Sequence, residues 1–262
     1  MTDPFAHARL TGKIAVVTGA AQGIGEETAR LLAARGIEGL LLTDRNEEKG
    51  RATAEAIAAD TGAEVIFHKV DISDSAQVQE MVTATVEKFG ELNVAVNNAA
   101  LTPDQAPSAE FDEEYFDRLI AVDLKGTALC MKYELQQLIR QGKGGSIINI
   151  SSVSGFRPQP NNIAYVAAKH GVVGMTKVAA MEYGSQNIRV NSVAPGAINT
   201  PMLEGALKEA GIDPVAYAPQ LSLLDRFGES REIAEASLWL ASDASSYITG
   251  TTIHADAGYV GR

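Results

Sequence analysis

The 262-residue sequence predicts an α/β fold: a doubly wound sheet of seven parallel strands, flanked by helices on both faces, in one domain. Three observations predict it. Short apolar runs alternate with longer helical patterns along the whole chain. The first run leads into a glycine-rich turn. No linker, internal repeat or low-complexity tract divides the chain, so residues 1–262 read as one unit.

The strand candidates follow one another as IAVVT (14–18), LLLT (40–43), VIFHKV (65–70), LNVAVN (92–97), SIINIS (146–151), IRVNSV (188–193) and TTIHA (251–255). Most are continuously apolar rather than alternating, as strands covered on both faces must be. Between them lie helical patterns over 24–35, 46–60, 76–89 and 164–183. The stretch 195–229 breaks the rhythm: it carries Pro201, Pro214 and Pro219 and only a short helical piece near 201–210. A long segment after the carboxyl end of a strand lies where open α/β sheets bind ligands, so 196–228 is expected to be a substrate lid.

Composition narrows the function. Hydrophobic residues at 45% and charged residues at 21% suit a folded, water-facing chain. Lys and Arg number 22 against 33 Asp and Glu, a net charge of −11. Such a surface repels phosphate backbones and anionic lipid, which argues against nucleic-acid and membrane partners. No apolar run is long enough to span a bilayer, and the start, MTDPFAHARL, lacks a signal-peptide pattern. The lone Cys130 can form neither an internal disulfide nor a thiolate cage, which fits a cytoplasmic protein. His7, His68, His170 and His254 are scattered without ligand spacing, so no metal is expected.

The glycine turn reads Thr18-Gly19-Ala20-Ala21-Gln22-Gly23-Ile24-Gly25 and opens a helix. Glycines there let a pyrophosphate approach the helix N-terminus, where free N–H groups and the helix dipole favour anions. Gly19, Gln22, Gly23, Ile24 and Gly25 are therefore candidate dinucleotide contacts. Asp44 ends the second strand, where a carboxylate accepts hydrogen bonds from ribose hydroxyls and repels a 2′-phosphate. Arg45 beside it can hold that phosphate, but the carboxylate is expected to dominate, favouring NAD over NADP.

Tyr165 and Lys169 stand four residues apart on a helical stretch and share a face; Ser152 lies at the end of SIINIS. An ammonium about 5 Å from a phenol stabilises its anion by roughly 3 kcal/mol at an effective dielectric of ~20. The phenol can then exchange a proton with an alcohol while a hydride moves to a nicotinamide, and a serine hydroxyl can hold the substrate oxygen.

With these motifs in order, the chain resembles the short-chain dehydrogenase/reductase family from about residue 10 onward. The glycine motif matches Thr18 to Gly25, and the adenine-contacting aspartate matches Asp71, with Ile72 beside it. Asn97-Asn98-Ala99 matches the element after the fourth strand, and the catalytic residues match Ser152, Tyr165 and Lys169. Pro195-Gly196-Ala197-Ile198-Asn199-Thr200 matches the segment in which the backbone of Ile198 and the hydroxyl of Thr200 would hold the nicotinamide carboxamide. The resemblance implies a Rossmann-type fold, hydride transfer on the cofactor's B face, and a lysine that also binds the nicotinamide ribose.

Two positions depart from the family pattern. Ala100 stands where glycine is usual, which limits the backbone to conformations a Cβ allows. Asp123 stands where the catalytic tetrad has an asparagine that helps hold a water on the proton relay to the lysine. An ionised aspartate cannot donate a hydrogen bond, but the relay is expected to survive through a water on a main-chain carbonyl.

Helix 164–183 is apolar or small nearly all round, so it needs a cover besides the sheet; oligomerisation is expected, and the resemblance implies a homotetramer. The lid offers Pro201, Met202, Leu203, Leu207, Tyr217 and Leu221, and Phe156 and Arg157 follow the serine. These suit a neutral alcohol or ketone. YVAAKHGVVGMTK and PGAINTPMLE look similar to members acting on cyclic or bulky secondary alcohols. Alternatives are a 3-oxoacyl thioester reductase using NADPH, a non-catalytic dinucleotide sensor, and a methyltransferase. A sensor has no need of Ser152, Tyr165 and Lys169 together, nor a methyltransferase of the tyrosine–lysine pair.

Overall fold

The computed structural model describes residues 8–262, so His7 lies outside the described residues. Elements follow as β1 (Ile14–Thr18), α1 (Gly23–Ala34), β2 (Gly39–Asp44), α2 (Glu47–Thr61), β3 (Glu64–Lys69), α3 (Ser75–Phe89) and β4 (Val94–Asn97). Next come α4 (Glu113–Leu119), a π-helical turn (Ile120–Gly126), α5 (Thr127–Gln141), β5 (Gly145–Ile150), α6 (Ile163–Tyr183) and β6 (Ile188–Pro195). The chain ends through β7 (Ile198–Asn199), α7 (Pro201–Ala210), α8 (Pro214–Leu221), β8 (Gly228–Glu229), α9 (Ser230–Ala241) and β9 (Thr252–Ala255).

Local chemistry sets many of these boundaries. Asn46 and Asp74 cap α2 and α3 with their side chains, and both helices stop at left-handed glycines, Gly62 and Gly90. The main sheet is wholly parallel, in the order β3-β2-β1-β4-β5-β6-β9. Along β1, Ala15 and Val17 pack with α1 and α9, whereas Val16 packs with Met81 of α3 and Cys130 of α5. That period of two fills a core on each face. After β1 the chain winds outward through β2 and β3, then returns to place β4 on the other side of β1. The carboxyl ends of β1 and β4 therefore diverge, opening the crevice where such sheets bind ligands.

The segment after β6 is more regular than expected. Besides the anticipated helix at 201–210 it holds α8, started by the Asp213 cap and Pro214. Paired β7 and β8 pinch its two ends together, with the Gly228 N–H donating to Ala197 O at 2.9 Å. Among the described residues no helix is long and apolar enough to cross a membrane.

Candidate active site

The cofactor half is built largely from backbone. Gly19 turns with φ +65°, and a Cβ there would meet Ala99 Cα at 2.7 Å; one on Gly25 would meet Gly19 O at 2.2 Å. Thr18 joins the two strand ends: its hydroxyl accepts from Asn98 N at 3.0 Å and Ala99 N at 3.1 Å. The Asn98 amide donates back to the carbonyls of Thr18 and Gly19, both at 3.0 Å. Asp44 accepts from Ala21 N at 3.2 Å, fixing the turn from the β2 side.

Between these strand ends lies a cleft of about 280 Å³. Gly19, Gln22, Gly23, Ile24, Asp44, Arg45, Asp71, Ile72, Asn98, Ala99 and Thr200 line it. Gly25 does not; it packs behind the turn. Asp71 accepts from the N–H and hydroxyl of Ser73. Gln22, before α1, makes no side-chain cap, so the helix presents free N–H groups to the cleft. The residues present thus fit a dinucleotide: a cradle that side chains would fill, an uncapped helix N-terminus and a carboxylate at the second strand's end. Arg45 is exposed on the rim. Ala100 is not among the residues with positive φ, so its Cβ causes no strain.

A second cavity of about 250 Å³ adjoins the cleft and shares Ile24, Asn98, Ala100, Thr200 and Met202 with it. Ser152, Tyr165 and Lys169 all line it, as do Pro195, Gly196 and Ile198. Ser152 Oγ accepts from Ser154 N at 3.1 Å. The Lys169 ammonium lies 5.3 Å from the Tyr165 ring centroid and points toward Ile150 O at 3.4 Å. Thr200 caps α7, accepting from Leu203 N at 3.3 Å, and its hydroxyl donates to Ile198 O at 3.2 Å.

Asp123 lines neither cavity. Fully buried in the π-helical turn, it accepts from Leu101 N at 2.8 Å through Oδ1 and turns Oδ2 to Lys169 Nζ at 3.5 Å. Its main-chain carbonyl accepts from the Thr127 hydroxyl at 2.9 Å. Burial pushes the Asp123 carboxyl up from the ordinary range, and Lys169 opposes it. Burial disfavours the Lys169 ammonium, but the Asp123 carboxylate and Tyr165 together outweigh it and the group titrates above an ordinary lysine.

Met202, Leu203 and Leu221 of the 196–228 segment line the second cavity, while Pro201 lines the cleft and Leu207 and Tyr217 line neither. Sequence reasoning missed Tyr259, a wall of the second cavity. The guanidiniums of Arg157 and Arg262 lie over its ring, at 4.5 and 5.2 Å from the centroid, and Arg157 also donates to Tyr259 O at 2.8 Å. Asp256 holds the same tail by accepting from Gly258 N and Val260 N. Gln159, also missed, contributes an amide to the cavity. Cys130 is fully buried, and burial pushes its thiol well up.

Comparison with known proteins finds relatives along nearly the whole chain. The family profile described as Enoyl-(Acyl carrier protein) reductase matches residues 19–260. The chain is 50% identical to the short chain dehydrogenase/reductase astE of Aspergillus oryzae over 95% of each chain. It is 41% identical to 2,5-dichloro-2,5-cyclohexadiene-1,4-diol dehydrogenase of Sphingobium indicum, over 95% of this chain and 98% of the other. The crystal structure of levodione reductase superposes with a TM-score of 0.91 at 38% identity, over 97% of this chain and 99% of that one. Carveol dehydrogenase from Mycobacterium avium, solved with NAD, gives 0.91 at 30% identity over 97% and 99%. A structure from Agrobacterium tumefaciens with bound NADP gives 0.87 at 30% identity over 98% and 100%.

Proposed function

The chain belongs to the short-chain dehydrogenase/reductase family, and from that premise we propose that it is an NAD-dependent oxidoreductase interconverting neutral, cyclic secondary alcohols and their ketones. One observation carries the reading: Ser152, Tyr165 and Lys169 line a single cavity that opens into the glycine-turn cleft.

In the oxidation direction the Tyr165 oxygen takes the alcohol's hydroxyl proton. The Ser152 hydroxyl holds the substrate oxygen and stabilises the charge that develops on it. The Lys169 ammonium stabilises the phenolate, and Asp123 faces that ammonium at 3.5 Å. A nicotinamide, when bound, supplies the acceptor for the hydride that leaves the carbinol carbon. Gly19, Gln22, Gly23 and Ile24 would hold its pyrophosphate, Asp44 a ribose, Asp71 and Ile72 the adenine, and Asn98, Ala99, Ile198 and Thr200 the nicotinamide end. Asp123 stands beside Lys169 where the family's asparagine would help hold a water, and a water on a main-chain carbonyl would carry the relay in its place.

The cavity supports a neutral substrate, since Lys169 is the one cation among the described residues that line it and its walls include Val153, Met202, Leu203, Leu221 and Tyr259. A ring is supported by the relative named for a cyclohexadiene diol. Residues 196–228 act as a lid, because they supply walls to both cavities. Val178 and Met181 of α6, 54% and 87% exposed, support burial against another copy in a homotetramer. The single cysteine and acidic surface support a cytoplasmic setting.

A second reading, a 3-oxoacyl thioester reductase using NADPH, is favoured by the exposed Arg45 on the rim and by 40% identity to the 3-oxoacyl-[acyl-carrier-protein] reductase FabG of Thermotoga maritima. The net charge of −11 opposes docking of an acidic carrier. Absorbance at 340 nm over cyclic alcohols, ketones and acetoacetyl thioesters, with each cofactor, decides between them. Faster turnover of a cyclic alcohol with NAD supports the first reading; faster turnover of a thioester with NADPH overturns it.

A further inference from the structure

Helix α6 carries both Tyr165 and Lys169, yet Asn162 before it makes no side-chain bond to the helix's free N–H groups. The cap comes from another part of the chain. Asp104, 9% exposed on the loop between β4 and α4, accepts from Ala164 N through Oδ2 and from Tyr165 N through Oδ1, each at 3.0 Å. The Asn162 amide donates in return to the Asp104 carbonyl. The second and third N–H groups of the helix are thereby satisfied by one carboxylate, whose charge also suits the positive end of the helix dipole.

The residues before Asp104 are tied to other parts of the site. Leu101 N donates to Asp123, the partner of Lys169, and Thr102 O accepts from the Tyr115 hydroxyl at 2.6 Å. Leu101 lines the cofactor cleft and Pro103 the substrate cavity. Residues 101–104 form a strap whose two ends hold the surroundings of Lys169 and the backbone of Tyr165.

We propose that Asp104 is a positioning residue: its carboxylate fixes the first turn of α6, and so the phenol of Tyr165, against the strap that faces substrate. This rests on Tyr165 being the proton acceptor. A displacement of about 1 Å at a reacting atom costs roughly a hundredfold in rate, so an uncapped first turn should be read in turnover.

The test compares Asp104→Ala, Asp104→Asn and Tyr165→Phe in the full-length protein, using cyclohexanol and NAD or whichever alcohol and cofactor the panel above shows to react. Readouts are kcat, alcohol KM, cofactor Kd by fluorescence titration, and amide hydrogen exchange along α6. Asp104→Ala should lower kcat by roughly 30- to 100-fold, keep cofactor Kd within about twofold, and speed exchange at Ala164 and Tyr165 at least tenfold. Exchange at Val172 and Val173 should not change. Asp104→Asn, whose oxygen still accepts one N–H, should recover to within about tenfold of wild type. Asp104→Ala with kcat within twofold of wild type overturns the proposal, as does exchange that quickens equally along all of α6. If Tyr165→Phe keeps its activity, the reading of Tyr165 fails and the proposal fails with it; activity lost in Tyr165→Phe but kept in Asp104→Ala refutes the positioning role alone.

Discussion

The cofactor cleft and the substrate cavity share five lining residues but are built in different ways. The cleft rises from the ends of β1, β2 and β4, with backbone and glycine forming its floor and short-range bonds from Thr18 and Asp44 fixing it. The cavity takes its walls from α6, the 196–228 segment and the C-terminal tail, which meet only in the fold. Cofactor geometry thus follows from topology and a few small residues. Substrate choice follows from side chains carried by segments free to vary, so the two halves should respond separately to substitution.

Gly25→Ala attacks the cleft and should have the largest effect of the three substitutions that separate the two halves. Its Cβ must displace Gly19 O from 2.2 Å, and strain of about 1–3 kcal/mol corresponds to roughly five- to 150-fold weaker cofactor binding. Fluorescence titration reads it, while alcohol KM at saturating cofactor should change little. Asp123→Asn lies between the two halves. A carboxylate 3.5 Å from Lys169 offsets part of the ammonium's pull on the phenolate, with Tyr165 and Ile150 O the other groups facing it. Removing that charge should shift the pH profile of alcohol oxidation down by roughly one unit, up to tenfold in rate on its acid side. A rise of orders of magnitude at the optimum would instead mean that aspartate disables the relay. Tyr259→Ala attacks the cavity alone, and should raise alcohol KM several-fold, about 1–2 kcal/mol, with cofactor Kd unchanged.

A substitution beneath both halves should leave turnover alone. Glu134 of α5 is fully buried, bonded to the Asn97 amide at 3.0 Å, and burial pushes its carboxyl up to about 7 from 4.5. The unfolded chain ionises this group first, so the fold loses stability as pH rises from about 4.5 to about 7, by up to about 3 kcal/mol. Glu134→Gln should remove that loss. Thermal melts at pH 5 and 8 should then differ less in the variant than in wild type; an unchanged difference would refute the protonated state.

The same contrast explains what the sequence reveals. The seven strands of the main sheet fall within two residues of expectation at each boundary, because runs buried on both faces carry an unmistakable pattern. Glycines and a strand-end aspartate sit close in sequence to the surfaces they form, so the cleft was legible. Helix α8 was not: its start signal is a proline, and Pro219 interrupts its short pattern. Tyr259 and Asp104 were missed for another reason. Their roles depend on partners such as Arg157, 102 residues from Tyr259, and Tyr165, 61 residues from Asp104, which no local periodicity records.

The central claim is that Tyr165 transfers the proton in a site whose cofactor half works without it. Turnover and cofactor affinity measured together on Tyr165→Phe test it most directly. The account predicts turnover at least about a thousandfold below wild type, within the range for loss of a general acid–base group, with cofactor Kd within about twofold. A variant that keeps more than about a tenth of wild-type turnover while binding cofactor normally would contradict it.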